Sequence, residues 1–212
     1  MNYKGKDVPE VVIKRLPRYY RYLGDLLNHD ITRISSGRLS EKMNVTASQI
    51  RQDFNYFGGF GQQGYGYNVE YLYNEIAQIL GLKEGYKAII IGAGHLGMAL
   101  ANHKSFEKRG FTISAIFDID KEKVGLLVNN KPVFHISELE DYIKTNKITI
   151  AILAIPKETV GEMAEKLASY GIKGLWNFSS AEIMTSVPIA VENVHMSDYL
   201  MTLSYKIKQG NY

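Results

Sequence analysis

The sequence predicts an α/β chain preceded by a small, mainly helical domain, and three observations carry that reading. The first is a short apolar run, Ala88-Ile89-Ile90-Ile91, that leads directly into Gly92-Ala93-Gly94-His95-Leu96-Gly97. A helical pattern over 96–108 follows, then a second apolar run over 111–117 that ends on Asp118. Strand, glycine turn, helix, strand and acid is the order a dinucleotide-binding βαβ unit requires. The second observation is the alternation of apolar runs and amphipathic segments that continues to residue 194. Such alternation builds a Rossmann-type, doubly wound, mostly parallel sheet. The third is a change of character before residue 84, where helical periodicity and a glycine-rich stretch replace that alternation.

The first helix opens at Asp7-Val8-Pro9, where proline suits the first turn. Val12, Leu16, Tyr19, Tyr20, Leu23, Leu26 and Leu27 recur at helical spacing, and Pro17 is expected to kink or split the run. Lys14, Arg15, Arg18 and Arg21 decorate the other face. Residues 29–34 read as a connector, and Ser36 as the cap of a short helix over 37–43. After a tight turn at Asn44-Val45, Thr46 and Gln49 are expected to form a capping box for a third helix, 47–57. Ile50, Phe54 and Phe57 mark its inner face; Ser48, Gln49, Arg51, Gln52 and Asn55 mark its outer one. Two short helices about a tight turn, the second polar and basic outside, make a helix-turn-helix. Residues 58–67 contain five glycines alternating with aromatics, which suits a β-hairpin. Behind a recognition helix, that hairpin is a wing. Asn68 caps a fourth helix, which ends at Gly81. Residues 1–84 are therefore expected to be a winged helix-turn-helix DNA-binding domain.

In the βαβ unit, Gly92 permits the tight turn, Gly94 lets the backbone approach a pyrophosphate, and Gly97 lets helix and strand pack closely. Asp118, 21 positions beyond Gly97, is placed to bond both hydroxyls of an adenine ribose. A 2′-phosphate there would meet a carboxylate and no arginine, so NAD(H) is favoured over NADP(H). Asp120 either shares the ribose or caps the turn before Lys121. Beyond it, strands are expected over 131–135, 148–155, 173–178 and 189–194, and helices over 137–146 (capped by Ser137) and 156–170. The nucleotide domain is thus 85–196. A terminal helix over 197–208 has Leu200, Leu203 and Ile207 at helical spacing.

Composition narrows the function. There is no cysteine, so disulfide and thiol chemistry are excluded. The N-terminus has no apolar signal core and no run approaches 18 apolar residues, so a cytoplasmic protein without membrane contact is expected. Residues 1–58 hold 10 Lys/Arg against 6 Asp/Glu, whereas 59–212 hold 15 against 16. The positive excess lies wholly in the N-terminal part and suggests a polyanion partner. His29, His95, His103, His135 and His195 show no metal-binding or catalytic spacing, so neither a metal nor a catalytic residue is expected.

Over essentially its whole length the chain resembles the Rex family of redox-sensing transcriptional repressors. The resemblance rests on RLPRYYR at 15–21, IRQDFNYFG at 50–58, GYGY at 64–67, the glycine turn at 92–97 and FDIDK at 117–121. It continues through AIP at 154–156, GIKG at 171–174, WNF at 176–178 and VENV at 191–194. It implies a homodimer that binds a palindromic double-stranded DNA operator when NAD+ prevails and releases it when NADH binds. It also implies that the C-terminal helix, 197–212, exchanges between subunits; the sequence alone shows only an amphipathic helix, which more often packs on its own domain. The candidate cofactor residues are Gly92, Ala93, Gly94, His95, Leu96, Gly97, Asp118, Asp120 and Lys121. Ile155, Pro156, Asn177 and Phe178 join them, on loops that would meet the nicotinamide. The candidate DNA residues are Arg15, Arg18, Ser48, Gln49, Arg51, Gln52, Asn55, Gln62, Gln63 and Tyr65. One departure stands out. Family members usually carry a basic pair in the wing where this chain has Gln62 and Gln63, and often Lys or Arg where it has Gln52. A member with weakened or altered DNA binding is therefore one alternative. A small NAD-dependent oxidoreductase is another, but no Tyr is followed four residues later by Lys, and no separate substrate domain remains after residue 85.

Overall fold

The computed structural model describes residues 8–62 and 65–210, and the chain divides into two compact units, Met1–Lys83 and Glu84–Tyr212. The N-terminal unit begins with α1 (Glu10–Leu27), a single helix with Pro9 at its N-cap and Pro17 inside it. Pro17 does not split it. A proline inside a helix costs about 3 kcal/mol. Against that, Leu16, Tyr19 and Leu23 are completely enclosed, and full burial of such a side chain contributes about 1.5–3 kcal/mol.

Helix α2 (Ser36–Met43) is capped by Ser35 rather than Ser36: the Ser35 hydroxyl accepts from the Arg38 N–H at 3.2 Å. Asn44, in the left-handed region at φ 53°, turns the chain into α3 (Ala47–Asn55). Thr46 Oγ1 accepts from the Gln49 N–H at 3.1 Å, so half of the expected capping box forms. The other half does not, because the Gln49 side chain bonds to Asp53 instead. The hairpin consists of β2 (Gly61–Gln62) and β3 (Gly66–Asn68). The stretch read as a connector contains a two-residue strand, β1 (Arg33–Ile34), which pairs antiparallel with β3 to give the order β1-β3-β2. Asn68 Oδ1 accepts from the Tyr71 N–H at 2.8 Å and opens α4 (Val69–Ile79), which packs on α1.

The C-terminal unit contains β4 (Tyr86–Ile91), α5 (His95–Ala101), β5 (Phe111–Asp118), β6 (Leu127–Val128) and β7 (Lys131–His135). It continues with α6 (Leu139–Asn146), β8 (Ile150–Leu153), α7 (Lys157–Ser169), β9 (Gly174–Asn177), β10 (Ala190–Asn193) and α8 (Met196–Gln209). The sheet order is β10-β9-β8-β4-β5-β7-β6, parallel except for the β6–β7 edge hairpin. This is the doubly wound order, and it reverses between β4 and β8. Alternate residues of β4 serve two cores. Ile89 and Ile91 meet the faces of α6 and α7, whereas Ala88 and Ile90 join Ala101 of α5.

Two local expectations fail here. The helix after the glycine turn stops at Ala101 instead of reaching 108, with a 3-10 turn at Glu107–Arg109. Asn, His and Ser compete with a helical backbone for hydrogen bonds. Asn102 Nδ2 donates to the Met98 carbonyl at 2.9 Å, Ser105 Oγ lies 2.7 Å from His103 Nδ1, and Phe106 folds back onto the His103 ring. The second failure is the cap before α6. His135 Nδ1, not Ser137, accepts from the Ser137 N–H at 3.3 Å, and Glu138 accepts from the His135 N–H at 3.2 Å.

Candidate nucleotide cleft and DNA-reading face

A cavity of about 340 Å³ opens at the carboxyl ends of β4, β5 and β8, where the strand order reverses. That is where open α/β sheets bind their ligands. Ile91, Gly92, Gly94, Phe117, Asp118, Ala154, Ile155 and Pro156 line it, with Ile119, Lys123, Ile136, Thr159 and Met163. Gly92 sits at φ 101°, and an added Cβ would lie 2.5 Å from the Ala154 carbonyl oxygen. A Cβ on Gly97 would overlap the carbonyl oxygen of Gly92, so helix and turn touch through bare backbone. Gly94 differs: a Cβ there would meet no protein atom within 4 Å and would fill cleft space. An open backbone cradle at the start of a helix suits a pyrophosphate.

Asp118 is fixed in place before any ligand arrives. Its Oδ2 accepts from the Ala93 N–H at 2.6 Å, and its Oδ1 from the Asp120 N–H at 2.8 Å. Lys123 Nζ lies 3.5 Å from Asp118 and 3.4 Å from Asp120. Burial alone would raise the Asp118 carboxyl, but these N–H groups and Lys123 outweigh it and hold the group below the usual carboxylate range. It therefore presents fixed negative charge with lone pairs to spare. Asp120 Oδ1 accepts from the Glu122 N–H at 3.0 Å, closing a local turn, and Lys121 is exposed outside the cleft lining. Around the glycine turn Ala93 is buried, Leu96 half-buried and His95 exposed, and none of the three lines the cleft.

Asn177 and Phe178 are not brought into the cleft. Asn177 is completely buried; its Nδ2 donates to the Ala181 carbonyl and to Asn193 Oδ1, both at 2.8 Å, and its Oδ1 accepts from the Ser179 N–H at 2.9 Å. It braces the loop behind β9. Phe178 packs edge-on to Trp176, ring centroids 4.6 Å apart. Sequence reasoning missed Lys123, Thr159 and Met163. Only Lys123 left a signal, three residues after Asp120 in a run of acids and lysines.

On the N-terminal unit, Ser48, Arg51, Gln52 and Asn55 of α3 are exposed and Gln49 is half-buried. The Arg51 guanidinium donates to Ser36 Oγ and Ser48 Oγ, each at 3.0 Å, and so lies along the joint between α2 and α3. Arg18 is exposed and donates to the Met43 carbonyl at 3.0 Å. Arg15 does not lie on a solvated face. Its Nε and Nη2 form a two-pronged pair with the fully enclosed Asp53, both at 2.7 Å. Tyr65 is 71% exposed at the wing, and its carbonyl accepts from Arg33. The Gln62 backbone pairs with Gly66, and Gln63 lies outside the described residues.

Comparison with known proteins extends the geometry. Residues 7–55 match the family "Putative DNA-binding protein N-terminus", and residues 83–181 match the family "CoA binding domain". The redox-sensing transcriptional repressor Rex of Caldicellulosiruptor saccharolyticus is 52% identical over 207 residues, covering 98% of this chain and 94% of that protein. Rex of Clostridioides difficile is 51% identical, covering 97% and 98%.

The chain belongs to the Rex family.

The crystal structure of the Rex-family protein RSP in complex with β-NAD+ and operator DNA matches with a TM-score of 0.91 at 53% identity, covering 97% of this chain and 95% of that one. RSP in complex with β-NADH matches with a TM-score of 0.89 at 50% identity, covering 97% of both chains. The two family matches cover different parts of this Rex chain. One spans α1 to α3 and stops at Asn55, before the wing; the other spans the glycine turn, Asp118 and the β8 loop. Among the described residues, no group of three or more His, Asp or Glu could hold a metal, and no helix is long and apolar enough to cross a membrane.

Proposed function

We propose that the protein is a redox-sensing transcriptional repressor whose operator binding is set by the NADH/NAD+ ratio, with NADH releasing the DNA. The observation that carries this is the pairing, in one chain that matches a Rex relative over 207 residues, of a helix-turn-helix face with a switch-point cleft whose carboxylate is already fixed. Asp118 takes the adenine ribose hydroxyls, the Gly92–Gly97 turn takes the pyrophosphate, and the Ile155-Pro156 loop borders the nicotinamide end. The same carboxylate opposes ligands that carry a phosphate on that ribose, including NADP(H) and coenzyme A. Ser48, Gln49, Arg51, Gln52 and Asn55 form the face that enters the major groove. Arg15 supports that face by holding α1 to α3 and does not itself touch DNA.

The reading further includes a homodimer acting on a palindromic operator in the cytoplasm, with no catalytic step and no metal. Two copies related by a twofold axis present two α3 helices to half-sites about one helical turn apart. The dimer is proposed to be sealed by α8, whose Tyr199, Leu200, Met201, Leu203, Tyr205 and Ile207 are all exposed in the single chain. No catalytic step is assigned to the acid and base that line the cleft, because Asp118 and Lys123 hold the turn at the ribose end, whereas Thr159, Met163 and Pro156 are the near neighbours of the β8 end. The test is calorimetry of the purified full chain with NADH, NAD+, NADPH and coenzyme A. Saturable binding of the first two, with the phosphorylated pair much weaker, supports the reading; tighter binding of coenzyme A than of NADH overturns it.

A further inference from the structure

Asp53 is an acid on the inner side of α3 and is fully buried. Its carboxylate accepts four hydrogen bonds. Arg15 Nε and Tyr19 Oη reach Oδ2 at 2.7 and 2.8 Å, and Arg15 Nη2 and Gln49 Nε2 reach Oδ1 at 2.7 and 2.9 Å. An ionised carboxylate accepts about four such bonds and donates none. The Gln49 amide is therefore held one way round, nitrogen towards Asp53. Its Oε1 and its second N–H remain for another partner.

Gln49 occupies the first turn of α3, between exposed Ser48 and exposed Arg51 and Gln52. N-terminal residues of a recognition helix are the ones that meet base edges. An edge of one acceptor and one donor fits adenine, which offers the N6 donor and the N7 acceptor in the major groove. Guanine offers two acceptors there and would face Oε1 with an oxygen. We propose that Gln49 reads an adenine in each half-site and that Asp53 is the positioning residue that holds its amide the right way round. This rests on the reading of α3 as the DNA-reading helix.

The experiment starts from a duplex that the NAD+-loaded full chain selects from a randomised pool. Each adenine is then replaced in turn by 7-deazaadenine, which lacks the N7 acceptor. The unaltered protein is expected to lose about tenfold in affinity at one symmetry-related pair of positions. Gln49→Ala should bind less tightly and lose that penalty at that pair alone. Asp53→Asn should weaken binding to every duplex and also shrink the penalty to below about threefold. A purely structural Asp53 would leave the penalty intact, which would overturn the positioning role. If Asp53→Asn fails to fold, Gln49→Glu decides the matter, because glutamate has no N–H to give and its carboxylate is repelled by that of Asp53. It should select a base other than adenine at the same position, and selection of the same adenine overturns the proposal. A Gln49→Ala protein that keeps every 7-deaza penalty overturns it also. An unaltered chain that selects no duplex instead removes the DNA-reading role of α3, and this proposal with it.

Discussion

At the scale of single residues, two carboxylates carry the account. Asp118 holds the glycine turn through the Ala93 N–H and keeps lone pairs to spare, which the proposed function gives to a ribose, and Lys123 sits beside it. In Asp118→Asn an amide oxygen still accepts from Ala93, but the charge is gone and Lys123 keeps Asp120 as its remaining carboxylate neighbour. Affinity for NADH should fall by about tenfold, since hydrogen bonds to a charged group contribute about 1.5–3 kcal/mol. Affinity for NADPH should rise towards that for NADH, because its 2′-phosphate would no longer meet the Asp118 carboxylate and would lie near Lys123. Calorimetry of both dinucleotides checks this, and an unaltered protein that binds the two equally contradicts it. Asp53 carries the second prediction. Burial pushes its carboxyl up, but bonds from Arg15, Gln49 and Tyr19 outweigh burial and leave it below the value of 3.8 expected for a free aspartate. A carboxyl lowered on folding stabilises fully above its unfolded value, and that contribution is lost as pH falls through the folded one. Urea unfolding of the full chain, followed by far-UV circular dichroism, should thus be flat from pH 7 to about 5 and weaken below about 4. Asp53→Asn should cost about 3 kcal/mol at neutral pH, because it leaves Arg15 part-buried and unpaired, and should flatten the acid limb. An unchanged acid limb in the variant contradicts the assignment.

At the scale of elements, the glycine turn separates fold from site. Gly94→Ala adds a methyl group that touches no protein atom, so the melting temperature should hold while NADH affinity falls at least about tenfold, or 1.4 kcal/mol. Gly97→Ala drives a methyl group into the Gly92 carbonyl and should destabilise the nucleotide unit itself. Equal loss of stability in both variants would contradict an open cradle at Gly94. The strand–turn–helix–strand order here was legible in the sequence because apolar runs, glycines and an acid at fixed spacing leave few other solutions. The buried faces of α1 and α3 were legible for the same reason, through residues recurring every three or four positions. What escaped was decided by distant partners. Asp53 sits four residues from Gln49 on a helix whose polar residues otherwise face out, and only Arg15, Tyr19 and the fold show that it is an inward anchor. β1 and β6 are two residues each, too short to carry a pattern, and exist because β3 and β7 lie alongside. Asn177 has the composition of a ligand-binding loop residue, yet its bonds to Ala181, Ser179 and Asn193 make it a strut.

At the scale of the whole molecule, the protein is a switch whose output is DNA occupancy. A ligand shifts such an equilibrium only by its differential affinity for the two states, and a hundredfold preference supplies about 2.7 kcal/mol. In the proposed dimer, α8 seals the interface that spaces the two α3 helices, so removing residues 197–212, and with them nearly all of the exposed apolar face of α8, should give a monomer by sedimentation and lose palindrome binding. A truncated chain that still dimerises would place the interface elsewhere. The central claim is tested most directly by fluorescence anisotropy of a selected inverted-repeat duplex held by the full chain in excess NAD+, titrated with NADH. The account predicts that anisotropy falls to that of free DNA as NADH is added, and that NADPH at the same concentrations leaves the complex intact. Anisotropy that stays constant, or rises, as NADH saturates the protein would contradict it.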